Sequence, residues 1–200
     1  ILNSTPSNYD TDLFMPIIKS IEEITHAKYD KKHGVSHRVI ADHIRMLCFA
    51  IADGVMPSNE GKGYVLRRVL RRASKFGRNL DISSEFLYKL VDSVIDIMGD
   101  TYLEIKEKRS HIINVIKSEE ESFGKTIDKG IEVFDSIISD LKDKKTISGE
   151  DTFKLYDTYG FPLDLTKLMA KENNLVVDEA GFLNSMEKQK ERSRSKSDFK

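Results

Sequence analysis

Apolar residues recur at helical spacing along almost the whole chain. Leu13, Phe14, Ile17, Ile18, Ile21 and Ile24 share one face of a helix that Asp12 can cap. Val39, Ile40, Ile44, Leu47 and Ile51 form a second stripe behind Ser36, with Gly54 just past its end. The turn-rich run Met56-Pro57-Ser58-Asn59-Glu60-Gly61-Lys62-Gly63 then leads to a third helix, predicted from about Tyr64 to Phe76 and stopped by Gly77. Ser84 opens a fourth, carrying Leu87, Leu90, Val91, Val94 and Met98 and ending at Gly99. From Tyr102 to Leu141 the apolar positions are Ile105, Ile112, Ile116, Phe123, Ile127, Ile131, Phe134, Ile138 and Leu141. Their steps of three, four and seven predict one long helix or a broken pair, weakened at Gly124 and Gly130.

Beyond Asp143-Lys144-Lys145, a polar turn, Ser148 and Asp151 resemble a capping box with Asp in place of the usual Glu or Gln. The run Asp157-Thr158-Tyr159-Gly160-Phe161 reads as a loop into Pro162, which suits the first turn of another helix. Asn173-Asn174 ends that helix, Leu175-Val176-Val177 is a short extended piece, and Asp178 can cap a last helix. No strand-rich region is present. The pattern predicts an all-α fold, a helical array of two subdomains with at most very short strands near 175–177. An opening segment covers 1–34, a first helical subdomain 35–142 with the basic helix 64–76 and the long segment 102–141, a second 148–192, and a frayed polar tail 193–200.

A net charge of −1 gives the chain as a whole no reason to seek nucleic acid, so any such affinity must come from a local patch. The third helix supplies one. Between Glu60 and Asp81 every charge is positive: Lys62, Arg67, Arg68, Arg71, Arg72, Lys75 and Arg78. At about 100° per residue these side chains take one broad face, with Val65, Leu66, Val69, Leu70, Ala73 and Phe76 on the other. Arginine forks on one rigid rod suit a row of phosphates, and the run is denser in Arg than base readout by a DNA-binding helix requires. The same arginines could instead pair with neighbouring acids, and Asp and Glu number 33.

Nothing else in the chain reads as a reactive centre. Catalytic residues are expected to be absent, and metal ligands too, with one Cys and no recognisable ligand set. Cys48 sits among Ile44, Leu47 and Ile51 and reads as a core residue. A lone cysteine excludes an intramolecular disulfide and fits a reducing cytosol, so a cytoplasmic location is expected. Glu22-Glu23 and Glu119-Glu120-Glu121 read as solvated faces. No run is apolar enough for a membrane span, and the opening Ile1-Leu2-Asn3-Ser4, without an initiator Met, reads as a fragment boundary.

Three stretches carry a resemblance. Ser7-Asn8-Tyr9-Asp10-Thr11-Asp12-Leu13-Phe14 resembles the segment that follows the last catalytic motif of alanyl-tRNA synthetases. Arg38-Val39-Ile40-Ala41-Asp42-His43-Ile44-Arg45, Ile51-Ala52-Asp53-Gly54-Val55-Met56-Pro57-Ser58-Asn59 and Gly63-Tyr64-Val65-Leu66-Arg67-Arg68 together resemble the same family's signature. Leu155-Tyr156-Asp157-Thr158-Tyr159-Gly160-Phe161-Pro162 is similar to a third segment, and all lie in the family's order. Lys62 departs from the Arg found in many relatives, with the charge kept.

The resemblance implies a ligase that adenylates alanine with ATP and esterifies it to tRNA. This chain would be its helical middle region, which reads the acceptor stem, with 1–34 closing the catalytic core. The catalytic domain would lie upstream and an editing domain downstream. ATP with magnesium, and zinc, would belong to the full-length enzyme, with no cofactor and no catalysis in this fragment. Alanine tRNA is the implied partner; DNA and membrane are not. Asn59 and Asp157 carry over as base-recognition residues facing a wobble G·U pair, and Lys62, Arg67, Arg68, Arg71, Arg72, Lys75 and Arg78 are read as backbone contacts. A wobble pair leaves the guanine 2-amino group open in the shallow minor groove of A-form RNA, within reach of short polar side chains. A non-catalytic RNA-binding paralogue, and a helical interaction protein with a coiled coil at 102–141, are the rival readings.

Overall fold

The computed structural model describes residues 7–141 and 144–197, apart from the side chains of 193–197. The chain is all-α, with one minimal pair of strands among the described residues. Packing divides it into two units, Ile1–Gly124 and Lys125–Lys200. That division falls inside the longest helix, whereas the polar stretch 142–148 is where the sequence suggests one.

In the first unit a short 3-10 turn, Asn8–Asp10, precedes α1 (Met15–Thr25), α2 (Val35–Ala52) and α3 (Gly61–Arg78). A second 3-10 turn, Leu87–Leu90, runs into α4 (Val91–Met98), and α5 (Leu103–Glu107) and the start of α6 (Arg109–Asp140) follow. Helix α2 is central, packed against α1, α3 and α4. Its Ile40, Ile44, Leu47 and Ile51 are fully buried with Ile17, Ile18 and Ile21 of α1 and Leu66 and Leu70 of α3. Each such side chain contributes about 1.5–3 kcal/mol by leaving water. Cys48 lies in this core, and burial pushes its thiol up to about 12.

The predicted helices form, but several of their ends are made differently. Helix α1 has no side-chain cap at Phe14, with Asp12 upstream, and α2 starts at Val35, with Ser36 already inside it. Gly77 does not stop α3. It lies inside the helix, where a Cβ would stand 2.3 Å from the Phe86 ring, so glycine is required for close packing. The 102–141 segment breaks at Lys108 into α5 and α6, and α6 runs unbroken through Gly124 and Gly130, where the sequence suggests weakness.

The second unit contains the end of α6, β1 (Thr146–Ile147), α7 (Gly149–Tyr159), α8 (Leu163–Glu172), β2 (Val176–Val177) and α9 (Glu179–Ser197). The strands pair in parallel, Thr146 with Val176 and Ile147 with Val177. Ser148 caps α7 as its sequence indicates: its Oγ accepts from the Asp151 N–H at 3.1 Å and donates to the Asp151 carboxylate at 2.6 Å. Asp178 likewise accepts from the Gly181 N–H at 2.9 Å. Gly160 ends α7 at φ +69°, a left-handed conformation that costs other residues energy. Phe161 then turns inward, fully buried against Gly130 of α6. Helix α9 continues through Ser197, so the expected frayed tail is helical at 193–197, and its last residues lie outside the described ones.

Candidate nucleic-acid interface

The turn that bears Asn59 is held by backbone packing. Gly63, in the first turn of α3, approaches the 56–58 segment so closely that a Cβ would stand 2.2 Å from both the Met56 carbonyl oxygen and the Ser58 hydroxyl. The Ser58 hydroxyl in turn donates to the Glu60 carbonyl at 2.8 Å. Gly63→Ala is therefore expected to push the turn off the helix, costing about 1–3 kcal/mol, measurable by thermal or denaturant unfolding. A melting curve matching that of the unsubstituted protein would mean that the turn accommodates a methyl group.

Asn59 itself is exposed, and Arg67, two turns along α3, donates from Nη1 to its Oδ1. Arg67 also places Nε 3.0 Å from Glu119 Oε1, an ion pair whose N–H is not aimed well enough to be a hydrogen bond. Arg71 donates to the same oxygen from Nε at 3.0 Å and Nη2 at 2.8 Å, with its guanidinium 5.0 Å from the centre of the Phe123 ring. Arg67 and Arg71 are one turn apart on α3, as Glu119 and Phe123 are on α6, so the two helices are laced side chain to side chain.

The basic side chains therefore do not form one solvated face. Lys62 is exposed, while Arg67, Arg68, Arg71, Arg72 and Arg78 are half-buried. Lys75 is 4% exposed, whereas Val65, expected on the buried face, is 45% exposed. Arg78 donates from Nη1 to the Ile82 carbonyl at 2.6 Å, and Arg68 lies 5.9 Å from the Tyr64 ring centre. The helix is rotated so that part of its cationic stripe meets protein.

Glu119 and Glu120 overturn the solvated-face reading, being 7% and 4% exposed. Glu120 Oε1 accepts from the backbone N–H groups of Phe86 and Leu87, both at 3.1 Å, and Oε2 from that of Tyr88 at 3.2 Å. It serves as the cap expected of Ser84, delivered from another helix. Burial raises its carboxyl to about 7 against the opposing pull of the three N–H donors. A run of three glutamates gives no hint of which members turn inward, so sequence reasoning missed both.

In the second unit Asp157 is exposed on the last turn of α7 rather than in a loop, and its Oδ1 accepts from Gln189 Nε2 at 2.5 Å. Near the first unit's start, two of the resembling stretches meet. Arg45 lies 4.2 Å from the Phe14 ring centre and Arg38 5.9 Å from that of Tyr9, cation–π contacts within one core edge. Among the described residues no three His, Cys, Asp or Glu side chains are grouped to hold a metal ion, and no helix is long and apolar enough to cross a membrane.

The chain is helical, with a basic helix braced beside an exposed turn, and sequence comparison supplies its class. The family model for tRNA synthetases class II (A) matches residues 1–200, and the chain belongs to that family. Within it the similarity is to alanine–tRNA ligases. That of Streptococcus sanguinis is 51% identical over 198 residues, that of Halalkalibacterium halodurans 49% over 199, and that of Staphylococcus epidermidis 50% over 197. These alignments cover 97–98% of this chain and 22–23% of each relative, so the chain spans under a quarter of their length.

Proposed function

We propose that this chain is the acceptor-stem recognition segment of an alanine–tRNA ligase, with Asn59 and Asp157 contacting the wobble G·U pair. The observation that carries the reading is the tethered Asn59. Arg67 occupies its carbonyl oxygen, which leaves the two amide N–H groups to address acceptors such as a pyrimidine O2 or a ribose hydroxyl. Asp157, as a carboxylate, accepts hydrogen bonds only, and so suits the guanine 2-amino donor. ATP-dependent activation of alanine is assigned to parts of the full-length enzyme beyond these residues, and the cytoplasm to its location.

The basic helix contributes in two ways in this proposal. Lys62 supplies solvated charge toward phosphates, with Arg68 and Arg72 farther along the same helix. Arg67 and Arg71 act first through Glu119. Lys75 and Arg78, read as phosphate contacts from the sequence, are the most committed to protein of the remainder, by burial and by the Ile82 carbonyl.

Tight-binding assays of the full-length protein with alanine tRNA across a salt series test this division. Lys62→Gln is expected to reduce the slope of log affinity against log salt by about one ion and to leave melting unchanged. Arg71→Gln is expected to lower the melting temperature, because it takes from a buried carboxylate both of its directed hydrogen bonds and leaves only the Arg67 ion pair. An unaltered slope for Lys62→Gln, Arg68→Gln and Arg72→Gln alike would remove phosphate contact from α3. Absence of salt-dependent RNA binding would favour a helical interaction protein instead.

A further inference from the structure

Asn59 sits in an exposed turn, and a carboxamide there would ordinarily sample several rotamers before meeting RNA. The structure removes that freedom at a distance. Arg67 holds Oδ1 with one arm of its guanidinium while its Nε faces Glu119, and Glu119 is itself fixed by two nitrogens of Arg71. The Glu119 side chain is 8% exposed and those of Arg67 and Arg71 are 22% and 15% exposed, so the charges face one another with little intervening water.

A plain tie between α3 and α6 does not need this arrangement. Arg71 alone already joins the helices through its paired bonds to Glu119 and its stacking over Phe123. Arg67 adds a second approach to the same oxygen and spends its other arm on Asn59. The ion pair at Nε draws the plane of the Arg67 guanidinium toward Glu119 and so limits where Nη1 points, which makes the side chain a relay from carboxylate to carboxamide.

We infer that Glu119 is a positioning residue for base recognition, orienting Arg67 so that Asn59 presents its amide N–H groups outward in one geometry. The inference rests on the reading of Asn59 as an RNA contact. Glu119 touches no RNA in this arrangement. Its effect passes through Arg67 to Asn59.

The test uses the full-length protein and the ratio of kcat/KM for tRNA carrying the G·U pair to that for a G·C variant. Glu119→Gln and Arg67→Lys are each expected to lower this ratio about three- to tenfold. Lysine keeps the positive charge that an RNA backbone would sense but cannot grip two partners in one plane, so its loss reports geometry. Asn59→Ala lowers the ratio further, and adding Glu119→Gln to it changes nothing more, since the relay then has no recipient. An unchanged ratio for Glu119→Gln and Arg67→Lys beside a lowered ratio for Asn59→Ala overturns the positioning role. Losses that multiply in the double variant also overturn it, because Glu119 would then act by an independent route. An unchanged ratio for Asn59→Ala removes the recognition reading itself, a distinct result. If Glu119→Gln does not fold, Arg67→Lys alone and in combination with Asn59→Ala decides the matter.

Discussion

In the full-length protein, Asp157→Ala is expected to cut kcat/KM for charging G·U-bearing alanine tRNA by about ten- to a hundredfold, the loss of one well-placed base contact. Charging of a G·C variant, poor already, should hardly change. The position of Asp157 supports this expectation. It is exposed on the last turn of α7, where the carbonyl end of the helix disfavours a carboxylate. Fold stability therefore gives little reason for an acid at this site. Gln189 holds Oδ1, which orients the carboxylate and leaves the second oxygen available to a donor. Asp157→Asn should lose nearly as much as alanine where its amide meets the guanine amino group, donor against donor. Asn59→Ala should act in the same direction. Steady-state kinetics on both tRNAs, with melting curves for each variant, provide the check. Equal losses on the two tRNAs would make Asn59 and Asp157 supports of their own units rather than readers of the pair.

The second large effect belongs to a residue that makes no RNA contact in the proposal. Glu120→Ala is expected to destabilise the first unit by about 3–5 kcal/mol, because three N–H groups at the start of the 87–98 helical segment lose their acceptor in a buried place. Glu120→Gln keeps one oxygen for Phe86 and Leu87 but sets an amide against the Tyr88 N–H, so about 1–2 kcal/mol is expected. The carboxyl also makes stability depend on pH. Its folded value of about 7 lies above the ordinary 4.5, so the native state binds more protons between those limits. Stability should then fall as pH rises from about 4.5 to about 7, and this contribution should vanish in Glu120→Gln. Denaturant unfolding at the two ends of that window measures it. A slope that persists unchanged in Glu120→Gln would place the titrating group elsewhere.

Much of this molecule can be read from residue order alone. The 3.6-residue stripes of α1, α2 and α6 and the Ser148 and Asp178 caps depend on neighbours within about a turn, so local chemistry determines them. The motif stretches likewise marked the family, while the roles they suggest for Asn59 and Asp157, both exposed, belong to the proposal. Tertiary structure decided the rest. Ser84 looks like a cap, yet Glu120, far along the chain, accepts the three N–H groups instead, since a buried carboxylate offers two oxygens where a hydroxyl offers one. Gly77 looks like a stop, but α3 passes through it to let the Phe86 ring approach. The arginine stripe predicts a solvated face because helical periodicity says which side chains share a side and nothing of what faces them. Only the packing of α6 against α3 turns Arg67 and Arg71 toward Glu119, and long-range pairing of that kind leaves no periodic trace in the sequence of either helix.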